Sequence, residues 1–398
     1  MLSTLLSGSS SAITSDVNFE IPDCALSRMR RVMLTIDRIA DVSAESFEAA
    51  IAAREAGRFR EAVREARRAV EAFTRDDGPR HPDTAHARLE LGRALVAAGD
   101  ESGRVEMIAA AQILVAIRGG DEDVAMLTVH ACLVTAAALR AAGDYMAARG
   151  FAAKALARAT DPSWLATAHN ELGVIGKFSG RYAEAERHYR AALPIVRKLY
   201  GERSVQMAAL WHNLGGLDHA RGRFREGERA AKKSVELGRA VLPRGSLEQH
   251  AHEVAYGALL DELGRERESI PMYRRALTAY RKAGDRYEIA STLHNLAAAE
   301  HSSGAYAAAR RHYGEALREY RACVGAEHAD IGRTLHNLAT LEAEHGRDAT
   351  ALFAQAAAIL TASLGAKHPT TRATIAAARR LKDARSRSPR SRGARYTG

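Results

Sequence analysis

Glycine recurs along this 398-residue chain at positions 57, 99, 143, 180, 222, 264, 304 and 346. The intervals are 42, 44, 37, 42, 42, 40 and 42 residues, about 41 on average, which is the length of a two-helix solenoid unit. A chain with this period buries apolar surface by stacking copies of one small unit on each other. The residues around each glycine say what the unit is. Seven positions before it stands a small residue (Ala50, Gly92, Ala136, Gly173, Gly215, Gly257, Ala297, Ala339), often preceded by leucine, as at Leu91, Leu172, Leu214, Leu296 and Leu338. Five positions after it come Ala62, Ala148, Ala185, Ala309 and Ala351, and twelve after it Ala69, Ala111, Ala155, Ala192, Ala276, Ala316 and Ala358. Small residues at these offsets let two helices cross closely, and the glycine between them suits a left-handed backbone stop. The predicted unit is helix, glycine turn, helix.

This pattern resembles the tetratricopeptide repeat family. Leu172-Gly173, Gly180, Tyr182, Ala185, Tyr189 and Ala192 fall on successive signature positions of that family. The longer period and the loops between units are similar to those of the kinesin-light-chain type. Asp77-Gly78-Pro79-Arg80-His81-Pro82-Asp83, Tyr200-Gly201-Glu202-Arg203, Val324-Gly325-Ala326-Glu327-His328 and Leu364-Gly365-Ala366-Lys367-His368-Pro369 stand where that type has its Leu-Gly-x-x-His-Pro loop. The resemblance spans about Val42 to Pro369. It implies an all-α fold, an α-solenoid forming a right-handed superhelix of about eight two-helix units with capping helices. Two departures stand out: Arg104 replaces a small residue in the second unit, and Asp161-Pro162 replaces the loop after the third.

Both ends fit capping elements, which solenoids need to cover terminal apolar faces. Leu26, Met29, Val32, Met33, Ile36 and Ile39 recur at helical spacing, so a capping helix is expected over 24–41. The expected order is then a disordered leader over 1–20, that helix, the repeat array over 42–368, a second capping helix over 369–383 opened by Pro369, and an Arg/Ser-rich tail over 384–398 too polar to fold alone. With 46% apolar residues the chain has enough hydrophobic material for a continuous core. Three cysteines, Cys24, Cys132 and Cys323, each about a hundred residues or more from the next, exclude a disulfide scaffold and a cysteine-based zinc site. The most apolar stretch, Met107 to Ile117, is 11 residues and contains a glutamine, well short of a membrane span. Cysteine usage, the missing export signal and the arginine-rich, alanine-rich composition together suggest a cytoplasmic, bacterial protein.

The chain carries 58 lysines and arginines against 48 aspartates and glutamates, a net charge of +10. Residues 379–398 alone hold Arg379, Arg380, Lys382, Arg385, Arg387, Arg390, Arg392 and Arg395 against Asp383, which leaves the rest of the chain close to neutral.

No phosphate-cradling Gly-Lys-Ser/Thr loop, dinucleotide fingerprint or nucleophile elbow occurs, so neither catalysis nor a cofactor is expected. His252-Glu253-Val254-Ala255-Tyr256 lacks the second histidine of a zinc-protease helix and, with His250 beside it, reads as a surface helix without a metal. In the resembling family the first helix of each unit lines a concave groove, at positions ten, nine and three before the turn glycine. Those positions hold Asn170, Glu171 and Lys177; His212, Asn213 and His219; His294, Asn295 and His301; and His336 and Asn337, with Arg333 thirteen before the last glycine. An asparagine amide both donates and accepts and so can grip a peptide main chain, while histidine adds a donor whose charge changes near pH 6.5. Together they suit a protein or peptide partner with acidic or carboxylate groups; the same residues can instead bond from repeat to repeat and support the stack. Tyr182, Tyr189, Tyr273, Tyr306 and Tyr313 are expected in the core, as is Trp211 between repeats. The expected function is therefore a non-enzymatic interaction scaffold. Two alternatives stand beside it: binding of nucleic acid or an anionic surface through the basic tail, and a peptide-responsive regulator acting on a separate effector.

Overall fold

The computed structural model describes residues 42–119 and 121–387. The expected leader over 1–20, the expected capping helix over 24–41 and the tail from 388 onward lie outside the described residues. Those described form seventeen helices and no strand. The first sixteen make eight pairs: α1 (Val42–Glu55) with α2 (Phe59–Asp76), α3 (Pro82–Ala97) with α4 (Ser102–Ala116), α5 (Glu122–Ala141) with α6 (Tyr145–Arg158), α7 (Pro162–Phe178) with α8 (Tyr182–Tyr200), α9 (Val205–Ala220) with α10 (Phe224–Val241), α11 (Leu247–Glu262) with α12 (Glu266–Ala283), α13 (Arg286–Ser302) with α14 (Tyr306–Cys323), and α15 (Ala329–Glu344) with α16 (Thr350–Leu364). The last helix, α17 (Pro369–Arg387), runs past Lys382. The chain divides after Glu202 into an N-terminal unit holding α1 to α8 and a C-terminal unit holding α9 to α17.

Each of the eight periodic glycines sits between the two helices of a pair with φ between +71° and +85°. At Gly222 the amide donates to the His219 carbonyl at 2.9 Å and the next amide, of Arg223, reaches back to the Asp218 carbonyl at 2.8 Å, closing the end of α9. A Cβ added to Gly222 would meet nothing within 4 Å, so alanine there pays a conformational cost alone. Gly222→Ala is expected to lower stability by about 1 kcal/mol, seen as a lower urea midpoint with an unchanged slope; wild-type stability of the variant would contradict the left-handed turn.

The loop histidines have a structural task. His81, His328 and His368 each stand at the N-cap of the following first helix, their Nδ1 accepting the backbone N–H two residues on, of Asp83, Asp330 and Thr370, at 3.2–3.3 Å. Pro82 and Pro369 then occupy first helical positions, where no amide is needed. Where Asp161-Pro162 replaces the loop, the Asp161 carboxylate caps α7 directly, accepting from the Ser163 amide at 2.7 Å. Only three residues then separate α6 from α7, which shortens the interval there to 37.

The Arg104 departure is absorbed by a one-residue shift. Gly103 takes the crossing position on α4, where an added Cβ would come within 2.4 Å of the Gly92 carbonyl oxygen on α3. The helices cross backbone to backbone, leaving Arg104 to pair with Glu101 at 3.1 Å.

Leu89, Met107, Leu114, Phe151, Trp164 and Ile175 anchor the core of the N-terminal unit. Helix α5 is long and apolar enough to cross a membrane, yet Leu127, Val129, Cys132, Leu133, Ala136 and Leu139 are buried in that core. In the C-terminal unit the core is built on Tyr273, Tyr280, Leu293, Leu296, Tyr313, Tyr320, Leu335 and Phe353. Tyr189, Tyr273 and Tyr313 are fully buried at the consensus packing position. Tyr306 departs from the expectation: it is 44% exposed, its ring against His345 at 4.1 Å and His301 at 6.0 Å. Tyr182 is half-buried, and so is Trp211, whose ring is covered by Lys233 Nζ at 4.2 Å. These positions lie near the turn ends or the sides of the helix pairs, where one ring face meets solvent.

Candidate functional site

First helices of consecutive pairs touch within each unit, α9 with α11, α11 with α13 and α13 with α15 in the C-terminal one. The in-register polar residues therefore face each other from repeat to repeat. Ten of the twelve expected groove residues are buried: Asn170, Glu171, Lys177, His212, Asn213, His219, His294, Asn295, His301 and Asn337. Arg333 and His336 are partly exposed. In the middle of the C-terminal unit α13 is buried continuously from Ile289 to His301.

The best-connected group is at α13 and α15. His294 Nδ1 lies 2.9 Å from Thr334 Oγ1 and its Nε2 lies 3.3 Å from Asn337 Nδ2. With the amide donating, Nε2 is the acceptor and Nδ1 carries the proton, so His294 is the neutral Nδ1–H tautomer. Thr334 Oγ1 takes that proton's hydrogen bond and gives its own to the Asp330 carbonyl at 2.7 Å. The two repeats are thereby keyed through one imidazole. His212 packs its ring against His252 at 5.2 Å, and His252 Nδ1 meets Ser234 Oγ at 2.6 Å. Burial, with His212 beside it, pushes the His252 imidazole down to about 3. His252 is thus a buried packing residue rather than part of a surface helix, and its neighbour Glu253 is held by Arg239 at 2.8 Å. Burial lowers His336 as well, to about 4, helped by the charge of Arg380.

A second register was missed at the sequence level. At two of the four turn glycines of the N-terminal unit the residue three before is arginine, and it pairs with the carboxylate nine before the next turn glycine: Arg54 with Glu90, and Arg140 with Glu171 at 2.8 Å. At two of the four in the C-terminal unit the same position is histidine and the carboxylate stands two before the next turn glycine: His219 Nε2 lies 3.6 Å from Glu262 and His301 Nε2 lies 2.7 Å from Glu344. The cation and the anion change together, a correlation readable in the sequence once the turn glycines are aligned. Lys177 instead lies over the Phe178 ring at 4.5 Å, and that ring is stacked on Tyr145. Arg333 bonds Asp330 at 2.5 Å one turn back.

Among the described residues one group with metal-ligand chemistry converges, Asp77, His81 and Asp83, with ligand atoms within 4.8 Å of one another. His81 Nδ1 is already committed to capping α3, which accounts for the cluster without an ion. His169 and His188 face each other through their Nδ1 atoms at 3.0 Å, a hydrogen bond between neutral rings whose protonation burial disfavours.

The family model described as "Tetratricopeptide repeat" matches residues 164–240, 246–322 and 288–359. No curated protein matches the chain by sequence. Among solved structures, the Rap protein complexed with competence and sporulation factor is 11% identical, covers 86% of this chain and 98% of its own, and superposes with a TM-score of 0.51. The nearly identical kinesin-light-chain repeats of Podosopora anserina are 19% identical over 52% of this chain and 99% of theirs, with a TM-score of 0.39. Yeast Tom70 is 12% identical over 92% of this chain and 73% of its own, with a TM-score of 0.46.

Proposed function

We propose, from the premise that the chain belongs to the tetratricopeptide-repeat family with repeats similar to those of kinesin light chains, that it is a non-enzymatic interaction scaffold which takes a protein or peptide segment along its first-helix face. The observation that carries this reading is the repeat-to-repeat register of polar first-helix residues, which places side chains at fixed intervals for a partner that runs across several repeats. Within that register we divide the labour. The buried members, Asn213 and His294 above all, set the spacing of neighbouring helices. Arg333 and Arg380 supply the positive charge at this end and His336, partly exposed between them in sequence and held neutral by burial, adds a hydrogen-bonding ring, a combination that suits an acidic segment or a terminal carboxylate. The Rap protein, alike in fold, was solved with a factor bound, and a partner peptide here fits the same use of the fold. A cytoplasmic setting belongs to this proposal.

The test is a peptide library selected on the full-length protein. Arg333→Glu is expected to weaken capture of the selected peptides at least tenfold in the folded fraction. Because it also removes the cation that holds the buried Asp330 carboxylate, its melting temperature should fall below wild type, and the affinity is read at a temperature where the helical signal is intact. Asn213→Ala is expected to lower stability and leave the affinity of the folded fraction near wild type. Peptides that bind equally well to the Arg333→Glu and His336→Ala variants would sink the assignment.

A further inference from the structure

The near-neutral repeats are not evenly charged. In the C-terminal unit the first helices α9, α11, α13 and α15 carry two arginines against ten aspartates and glutamates, while the second helices α10, α12 and α14 carry fourteen lysines and arginines against seven glutamates. Burial sharpens the division. Thirteen of those fourteen cations are exposed but only three of the seven glutamates. First helices pack directly on one another, whereas neighbouring second helices meet through long side chains, Arg265, just before α12, reaching Glu228 on α10 and Arg281 on α12 reaching Glu315 on α14, each at 2.6 Å. The second helices thus form the outer side of the unit.

Some of this charge is spent internally. Glu253, Glu300 and Glu342, nearly buried on the first helices, hold Arg239, Arg274 and Arg310 at 2.8, 3.6 and 2.5 Å. The rest is unpaired: Arg225, Arg229, Arg267, Arg311, Arg318 and Arg321 are exposed and have no carboxylate partner among the described residues. They recur in register, Arg225 and Arg267 three after their turn glycines and Arg229 and Arg311 seven after theirs. An 18-residue helix is about 27 Å long, so three of them side by side present a broad cationic surface.

We propose that this outer face, formed by α10, α12 and α14, binds the phosphodiester backbone of double-stranded nucleic acid, independently of the arginine-rich tail. Arginine predominates over lysine among the unpaired cations, and its planar fork suits phosphate oxygens. Apolar anchors are scarce: the large hydrophobic side chains exposed in this unit, among the described residues, are Leu247 on a first helix and Tyr306, the first residue of α14, whose ring is packed against His345. A folded protein partner would want buried aromatic anchors and a membrane surface apolar insertion, whereas a phosphate backbone asks only for charge. The same lack of stacking platforms favours a duplex over a single strand.

The experiment uses the full-length protein and a labelled 30-base-pair duplex of random sequence, with anisotropy read over a salt series. Three proteins are compared: wild type, a tail variant with Arg385, Arg387, Arg390, Arg392 and Arg395 changed to Ser, and a face variant carrying Arg229→Glu, Arg267→Glu and Arg311→Glu. About six phosphate contacts would make log K fall with log salt at a slope of about −5 for the tail variant. The face variant is expected to lose at least tenfold in affinity and to show a markedly shallower slope. If charge reversal disturbs the helical signal, the corresponding Arg→Ser triple is used in its place. Duplex binding abolished by the tail variant and untouched by the face variant would overturn the proposal, as would equal affinity for polyglutamate or for phosphatidylserine vesicles.

Discussion

Tyr189→Ala is expected to cost roughly 3–5 kcal/mol, the range for deleting a large buried ring. Tyr189 is fully buried on α8, and its ring lies against the backbone of Gly173 on α7 so closely that an added Cβ would stand 2.4 Å from ring atom Cε1. Gly173→Ala therefore attacks the same contact from the other side, by overpacking, at a cost of roughly 1–3 kcal/mol. Because the two changes share one volume, they must couple. Leucine at 189 leaves room for a methyl group at 173, so Gly173→Ala combined with Tyr189→Leu should be more stable than the sum of the separate losses predicts. Urea unfolding followed by circular dichroism gives all the corners of the cycle. Simple additivity would mean that the ring is not seated on the glycine and that the crossing is set elsewhere.

That contact shows why the fold was so legible. The small residue seven before the turn glycine and the bulky residue nine after it are two halves of one crossing, and the period puts them in register without further information. The turn glycines are equally direct, since a left-handed φ at eight evenly spaced positions leaves little else for the chain to do. Where the pattern broke, the cause was local chemistry that period alone does not show. At a fixed offset Arg104 falls on the crossing position, although Gly103 beside it supplies the smaller crossing residue. The loop histidines belong to the family resemblance, but their work as N-caps depends on which ring nitrogen turns back to the helix. The consensus position places Tyr306 in the core, yet it is 44% exposed and its ring packs only against His301 and His345 among the aromatic rings of the described residues.

The candidate site was legible as a ladder and not as a surface. Residue type and spacing put His294, Asn337 and their equivalents on facing first helices, yet spacing carries no measure of how closely the helices approach. Continuous burial of α13 follows from alanines and small polar residues on all its sides, including Ala290, Ser291, Thr292, Ala297, Ala298 and Ala299. The charge balance was blurred in a similar way. Summing over the repeats gave near neutrality, and only division by helix uncovered carboxylates drawn inward to hold arginines whose neighbours point out.

The position three before a turn glycine gives the last and most pH-sensitive expectation. Where it holds arginine, lysine or histidine in five other repeats, α11 places Asp261, hydrogen-bonded by Ser269 Oγ and by Tyr273 Oη at 2.6 Å. Both donors come from α12 and are buried. Burial pushes the Asp261 carboxyl up to about 7, against the pull of those two hydrogen bonds and with Glu266 and Glu262 adding to the rise. In the unfolded chain the same group releases its proton near pH 4. Between about pH 4 and pH 7 the folded state thus holds a proton that the unfolded state has lost, so this group's contribution to stability is greatest below that window and declines as pH rises through it. Over the full window the decline amounts to roughly 4 kcal/mol. Asp261→Asn removes the titration and keeps an acceptor for one of the two hydroxyls, so the variant should gain on wild type steadily from pH 4 to pH 7 and keep a constant margin above it. Denaturant midpoints of the two proteins, measured in parallel at pH 4.5, 6 and 8, make the comparison free of every other titrating group they share. Parallel curves would place the Asp261 carboxylate in water, and with it the end of α11 that it joins to α12.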